Sequence, residues 1–253
     1  MENTSLFYKY YDTIFFEKNY RKETEFLIKK SSEILGANPK KILEIGCGTG
    51  NHTLNLASKN IPITAIDIDA EMISIAIEKI QNAGFDFVKI INSPIEILED
   101  SEFDVAIAMF NVITYIPDTK NLISFFKAVH HRINAKAIFI FDCWNGIAAL
   151  KDPPGNKKTE VQVGNELVSC IVTSETDFWK QKTKLTYQLQ VKNFTDLTVQ
   201  NGTFSFNQTL WTPMQIEYCL NEAGFEIFSS NKLLEDKANA NCEDWKIMYI
   251  CQK

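Results

Sequence analysis

The chain reads as a doubly wound α/β fold with a mostly parallel sheet, and three observations predict it. Apolar runs of strand length alternate with amphipathic helical segments from residue 38 to about residue 145. The first run, Ile42 to Ile45, breaks into Gly46-Cys47-Gly48-Thr49-Gly50, three alternating glycines that permit φ > 0 and close approach of the backbone to a bound molecule. A second apolar run ends in Asp67, 21 residues after Gly46. A carboxylate at that strand tip can accept a pair of hydrogen bonds from a ribose.

The elements follow in order. Residues 6 to 35 carry apolar and aromatic side chains at helical spacing (Tyr8, Tyr11, Phe15, Phe26, Leu27, Leu35), and Gly36-Ala37-Asn38-Pro39 ends the segment. Residues 1–37 are therefore expected to form a helical lid. Strand 1 is placed at 40–45, a helix at about 51–59, strand 2 at 61–67, and a helix at about 70–83 with Asp69 as its N-cap. Strand 3 follows at 85–91, strand 4 at 103–109, a helix at about 119–133 and strand 5 at 136–142. Residues 38–150 make up the ligand-binding core.

Beyond that core the helical period disappears. Segments 166–173, 182–191 and 202–210 alternate in strand fashion with turns between them, Asn201-Gly202 included, so 159–211 is expected to be an antiparallel β insertion after strand 5. Thr212-Pro213 opens a final helix that Gly224 closes, and 225–228 with 245–251 supply the last two strands of a seven-stranded, Rossmann-like sheet. Residues 212–253 thus hold the final helix and hairpin of a single domain spanning 1–253.

Composition narrows the function classes. Of the 253 residues 45% are hydrophobic and 23% charged, as in ordinary globular proteins, and no apolar run approaches a membrane span. Met1-Glu2-Asn3-Thr4-Ser5 does not open a secretory signal, which points to a cytoplasmic protein. Six cysteines without a C-x-x-C pair read as reduced thiols, not as a metal site or disulfide framework. A formal charge of -6 argues against a nucleic-acid footprint and favours a small-molecule substrate.

Glycine spacing separates two kinds of nucleoside ligand. Dinucleotide sites use G-x-G-x-x-G, with a pyrophosphate on the helix N-terminus. Here the spacing is G-x-G-x-G, and Glu44 lies just before the turn. A carboxylate there opposes a pyrophosphate and suits an ammonium or sulfonium. A dinucleotide-dependent oxidoreductase remains the alternative, and a binding protein without catalysis is a third reading.

Ile42 to Gly50 resembles the first motif, hhExGxGxG, of the class I S-adenosylmethionine-dependent methyltransferases. Ile63 to Ala76 is similar to the family's acidic second motif and the helix after it, Phe103 to Asn111 to its fourth strand, and Ala137 to Asp142 to its fifth. Four shorter segments, Tyr11 to Ile14, Met109 to Ile116, Phe141 to Gly146 and Gln208 to Trp211, resemble N-methyltransferases of nucleotide-linked amino sugars. The resemblance implies methyl transfer from S-adenosyl-L-methionine to a small molecule, first the amino group of a nucleotide-linked amino sugar, with O- or C-methylation as the alternative.

The resemblance also assigns residues. Tyr11, Glu44, Gly46, Cys47, Gly48, Gly50, Asp67, Ile68, Met72, Met109 and Phe110 are implied to contact the cofactor, and Asn92 or Ser93 to bind its adenine. Asn111 would offer its side-chain carbonyl to an acceptor amine. Tyr115, where the family often has His, is too weakly basic near neutral pH to remove a proton and would orient the substrate. Asp142, Trp144 and Asn145 would face the acceptor, although a loop-capping Asp142 is the other reading. His52, His130 and His131 read as helix residues, not bases, and no metal is expected. A homodimer through the β insertion is the expected assembly.

Overall fold

The computed structural model describes residues 4–253 and begins with two helices where the sequence predicts one. These are α1 (Thr4–Ile14) and α2 (Tyr20–Leu35). The apolar spacing runs on through the break, but Asn19 caps α2 by accepting from Lys22 N, which competes with continuing the helix.

Five parallel strands follow: β1 (Ile42–Ile45), β2 (Ile63–Asp67), β3 (Lys89–Asn92), β4 (Phe103–Ala108) and β5 (Ile133–Trp144). They alternate with α3 (Asn51–Ala57), α4 (Ala70–Asn82) and α5 (Thr119–Arg132). With β10 (Glu226–Lys232) and β11 (Lys246–Gln252) they form one sheet in the order β10-β11-β5-β4-β1-β2-β3, in which β11 is antiparallel to both neighbours. Strand β3 starts later than the predicted 85, because Gly84 at φ +76° is followed by a turn closed by Val88 N to Phe85 O. Ile42 pairs with Ile63 on one side and Val105 on the other. The chain therefore leaves β1 in opposite directions across the sheet, and a crevice opens at the carboxyl ends of β1, β2 and β4.

Each face of this sheet carries its own apolar layer. Leu122, Phe126 and Val129 of α5 pack with Phe139, Phe141 and Tyr249 on one face, joined by Ile216 and Leu220 of α7 (Pro213–Glu222). Leu27 of α2 and Leu56 of α3 pack with Ile42, Ile107, Ile140 and Ile250 on the other.

After α6 (Gly146–Lys151), the insertion is a separate four-stranded antiparallel sheet of β6 (Lys157–Val163), β7 (Glu166–Asp177), β8 (Lys182–Asn193) and β9 (Val199–Thr209). The sequence did not reveal β6 or α6. Asn201-Gly202 is not a turn: the two residues pair with Gln190 and Leu189 inside the β8–β9 ladder. The chain reverses earlier, where Asn193 Oδ1 accepts from Thr195 N and Asp196 Oδ1 from Thr198 N.

The two bodies are joined by α1. Its Leu6, Phe7, Tyr10 and Ile14 pack on Val168, Cys170, Leu189, Val191 and Phe204 of the inserted sheet, with the Phe7 and Phe204 rings stacked at 4.6 Å. No helix of the described residues is long and apolar enough to cross a membrane. Because Phe7 is 1% exposed and touches four aromatic rings of α1 and the insertion beyond Phe204 alone, Phe7→Ala is expected to weaken the docking of α1 by about 3–5 kcal/mol. Limited proteolysis should then cut the segment around 15–19 sooner than in the unsubstituted protein, and an unchanged cleavage rate would contradict this packing.

Candidate active site

The glycine turn after β1 is held from below. Gly46 N and Cys47 N both donate to Ile66 O, at 2.8 and 3.0 Å, and Gly48 N donates to Asp67 Oδ2 at 2.8 Å. Gly46 sits at φ +70°, where a Cβ would also come within 2.6 Å of Val112 Cγ2. At Gly48 (φ +55°) no atom lies within 4 Å of where a Cβ would be, so the turn faces open space. Gly50 is a different case. It caps α3, and a Cβ there would press on Ala76 of α4 at 3.1 Å, so its smallness serves helix packing and not the ligand contact expected from the sequence.

A carboxylate lies beside the start of α3, held by side chains. Asp12 Oδ1 accepts from Thr49 Oγ1 at 2.6 Å and from Asn51 Nδ2 at 2.7 Å, while Lys79 Nζ donates to Asp12 Oδ2 at 2.7 Å. Tyr8 Oη adds a second tie by donating to Asp69 at 2.5 Å. These bonds draw α1 across the turn and roof a cavity of about 850 Å³.

Thirteen of the eighteen residues predicted for the site line this cavity: Tyr11, Gly46, Cys47, Gly48, Asp67, Ile68, Met72, Ser93, Met109, Phe110, Asn111, Tyr115 and Trp144. The structure places the other five elsewhere. The Glu44 carboxylate is buried beneath the turn, where Oε2 accepts from Thr53 Oγ1 at 2.7 Å. Gly50 packs on α4, as above. Asn92 points outward and donates to Asp67 O, leaving Ser93 as the lining residue. Asp142 is 0% exposed, and its Oδ1 accepts from Phe110 N and from Asn111 N, the latter at 3.2 Å. Asn145 caps α6 through Ile147 N and donates to Asn241 O and Asp244 O. Asp142 thus has the loop-capping role, and the loop needs it: Phe110 and Asn111 are consecutive non-glycine residues at φ +73° and +65°, a conformation that persists only when its surroundings fix it.

Several lining residues were not assigned from sequence, among them Phe15, Tyr20, His52, Tyr187, Phe206, Gln208 and Lys246. Leu185 with Tyr187, and Phe206 with Gln208, repeat at the two-residue period of one strand face. That alternation was legible; what the face covered was not.

Charge within the site is mostly paired. His52 Nε2 lies 2.6 Å from Glu23 Oε2, and Lys18 Nζ is 2.5 Å from Glu23 Oε1. Burial opposes ionisation of Glu23, but the His52 ring and the Lys18 ammonium outweigh it and hold the carboxyl down at about 2. Burial raises the Asp67 carboxyl, offset in part by the Asp69 and Gly48 amides. Its oxygens keep lone pairs beyond those two bonds. Tyr115 is half exposed but its free surface faces the cavity, and desolvation there raises its hydroxyl above the ordinary value.

Comparison with known proteins agrees with this geometry. The methyltransferase domain family matches residues 38–193. The Bacillus subtilis protein YqeM is 28% identical over 111 residues, covering 40% of this chain and 41% of YqeM. The chain spans about half or less of the length of the curated relatives it matches. Among solved structures, an S-adenosylmethionine-dependent methyltransferase from Clostridium acetobutylicum superposes with a TM-score of 0.81 at 22% identity, covering 96% of this chain and 95% of its own. A sugar N-methyltransferase from a Streptoalloteichus species superposes with a TM-score of 0.78 at 15% identity, covering 96% and 92%. At these identities the two structures speak for the fold.

The buried Glu44 gives a pH test of the site's foundation. Its carboxyl is pushed up to about 7 from an ordinary 4.5, chiefly by burial. The folded protein therefore binds this proton more tightly than the unfolded chain, a contribution fully present below about pH 4.5 and lost as pH rises through about 7. Chemical unfolding at pH 5 and pH 8 should show the unsubstituted protein losing roughly 3 kcal/mol more than Glu44→Gln over that interval. Parallel pH profiles for the two proteins would refute the assignment.

Proposed function

The chain belongs to the methyltransferase domain family, and on that premise we propose that it methylates a small-molecule amine with S-adenosylmethionine as donor, a nucleotide-linked amino sugar being the first choice of acceptor. The observation that carries the choice of donor is the state of the glycine turn. Its Gly46, Cys47 and Gly48 amides are engaged by Ile66 O and Asp67, and the Asp12 carboxylate, held by Thr49 Oγ1 and Asn51 Nδ2, puts a negative charge beside the turn that disfavours a pyrophosphate. A nucleoside without phosphates, bearing a positive charge, suits these surroundings. In this reading Asp67 accepts from the ribose hydroxyls, Ile68, Met72 and Ser93 flank the base, and Tyr11 and Phe110 cover the remainder, a reading supported by their common place on the cavity wall.

When bound, S-adenosylmethionine supplies an electrophilic methyl carbon on a sulfonium. The protein's part is to hold the acceptor against that carbon and keep water out, which the roof of α1 and the aromatic wall favour. Asn111 Oδ1 is buried without a hydrogen-bond partner in a residue that lines the cavity, and is offered to an acceptor N–H. Tyr115 holds its proton and orients the substrate. His52 is committed to Glu23, so proton removal is left to water and the amine has to arrive neutral. The overall charge of -6 favours a small molecule over a nucleic acid.

Two measurements test this reading. Asp67→Ala should raise the dissociation constant for S-adenosylhomocysteine at least about tenfold, or about 1.4 kcal/mol, by calorimetry; an unchanged constant, or tighter binding of NAD by the unsubstituted protein, would overturn the donor assignment. With an amine acceptor kcat/KM should climb about tenfold per pH unit below the amine's own pKa, and a flat profile would point to an O- or C-acceptor instead.

A further inference from the structure

We propose that Gln208, on the inserted sheet, reads the methyl acceptor by accepting a hydrogen bond from an N–H or O–H of the group held beside Tyr115. The proposal rests on the methyl-transfer reading above and adds a recognition residue to the same cavity.

The surroundings of Gln208 are almost wholly aromatic. Phe110 meets Phe15 edge-on at 5.2 Å, Phe15 meets Tyr187 at 6.4 Å, Tyr187 meets Phe206 at 5.8 Å, and Phe206 meets Tyr115 at 5.8 Å. All five line the cavity, so the rings form a continuous aromatic belt along its wall. Such a belt presents flat apolar faces to a sugar ring or alkyl chain and few polar contacts. Gln208 and Asn111 are two of the lining amides, each 5% exposed.

Both amides carry a buried carbonyl oxygen with no partner among the described residues, Gln208 Oε1 and Asn111 Oδ1. Leaving a buried acceptor unsatisfied is costly, and native proteins retain few. Of seven buried side-chain polar atoms without a partner among the described residues, these two belong to residues that line the cavity, where a ligand can supply the donors. Gln208 cannot relieve the deficit by moving away. Thr209 Oγ1 donates to Ile116 O at 2.8 Å, and Trp211 Nε1 donates to Ile113 O at 3.1 Å, which fastens the end of β9 to the turn that bears Tyr115. Gln208 and Tyr115 both line the cavity; burial raises the Tyr115 hydroxyl and the Gln208 amide eases it back. An amide that does so turns its NH2 toward the phenol oxygen, which leaves the carbonyl for the ligand.

The ligand class follows from the donors required. It has an apolar or ring-shaped body for the belt and a head with at least two N–H or O–H groups, as in a neutral primary amine next to a hydroxyl. A tertiary amine or an ether offers none.

The test uses the full-length protein, UDP-glucosamine with a mixed panel of primary amines as probes, and two variants. Gln208→Met keeps the side-chain length but removes both polar atoms; Gln208→Glu keeps an accepting oxygen. For Gln208→Met we expect a Tm no lower than that of the unsubstituted protein, S-adenosylhomocysteine affinity within about twofold, and a KM for the methylated probe raised at least about tenfold, one lost hydrogen bond's worth. Gln208→Glu should retain turnover with its pH–rate profile displaced upward, since a carboxylate there favours the unreactive ammonium form. Unaltered KM in Gln208→Met, or an equal fall in Tm for both variants, overturns the assignment by showing no contact or a merely structural role. If the unsubstituted protein binds S-adenosylhomocysteine yet methylates no amine, the acceptor reading of the preceding section fails, and this proposal with it.

Discussion

The docking of α1 is the constraint on which the remaining geometry depends. Its apolar side is committed to the inserted sheet through Leu6, Phe7, Tyr10 and Ile14, and its polar side is tied across the glycine turn through Asp12 and Tyr8. Neither body makes an enclosed site alone. The parallel sheet provides a crevice at the ends of β1, β2 and β4, and the insertion provides a wall of Leu185, Tyr187 and Phe206. One helix satisfying both sets of partners sets the distance between them, and the cavity is what that distance leaves.

Charge is distributed so that the cavity keeps few unpaired ions. Asp12 is matched by Lys79, Glu23 by Lys18 and His52, and Asp67 by backbone amides. Glu44 is exceptional, a buried carboxyl with a single hydroxyl partner, Thr53. Its position under the turn means that it acts on the cavity through Thr53 of α3 and not by contact, so it does not repel a pyrophosphate directly. The negative charge beside the turn comes instead from Asp12, on α1, held by Thr49 Oγ1 and Asn51 Nδ2.

The parallel core was legible because its determinants are local: apolar runs, glycine spacing and the capping Asp69 each act within a few residues. The places of Asp67, Gly46 and Asn111 on the cavity wall were legible for the same reason, since they lie at strand ends whose location the period revealed. What escaped depends on long-range pairing. Asn201-Gly202 carries the local chemistry of a turn, yet the β8–β9 ladder overrides it. Asp142 and Asn145 follow an apolar strand like other site residues, and only the fold shows that Asp142 Oδ1 is taken by Phe110 and Asn111 and the Asn145 amide by Ile147 and the 241–244 loop. Gln208 belongs to a segment whose strand character was evident, while the direction of its face was decided by α1 and Tyr115.

The place of β11 bears on how such a chain becomes ordered during synthesis. Residues 246–252 lie between β5 and β10 and pair with both, so the ladder edge of β5, made about a hundred residues earlier, waits unpaired while the inserted sheet is translated. Long delays before a central strand arrives favour off-pathway association of exposed edges. The four-stranded insertion, built from neighbouring hairpins of low sequence separation, can organise in that interval. The two bodies would then reach order at different times, with the completed cavity among the last features to form.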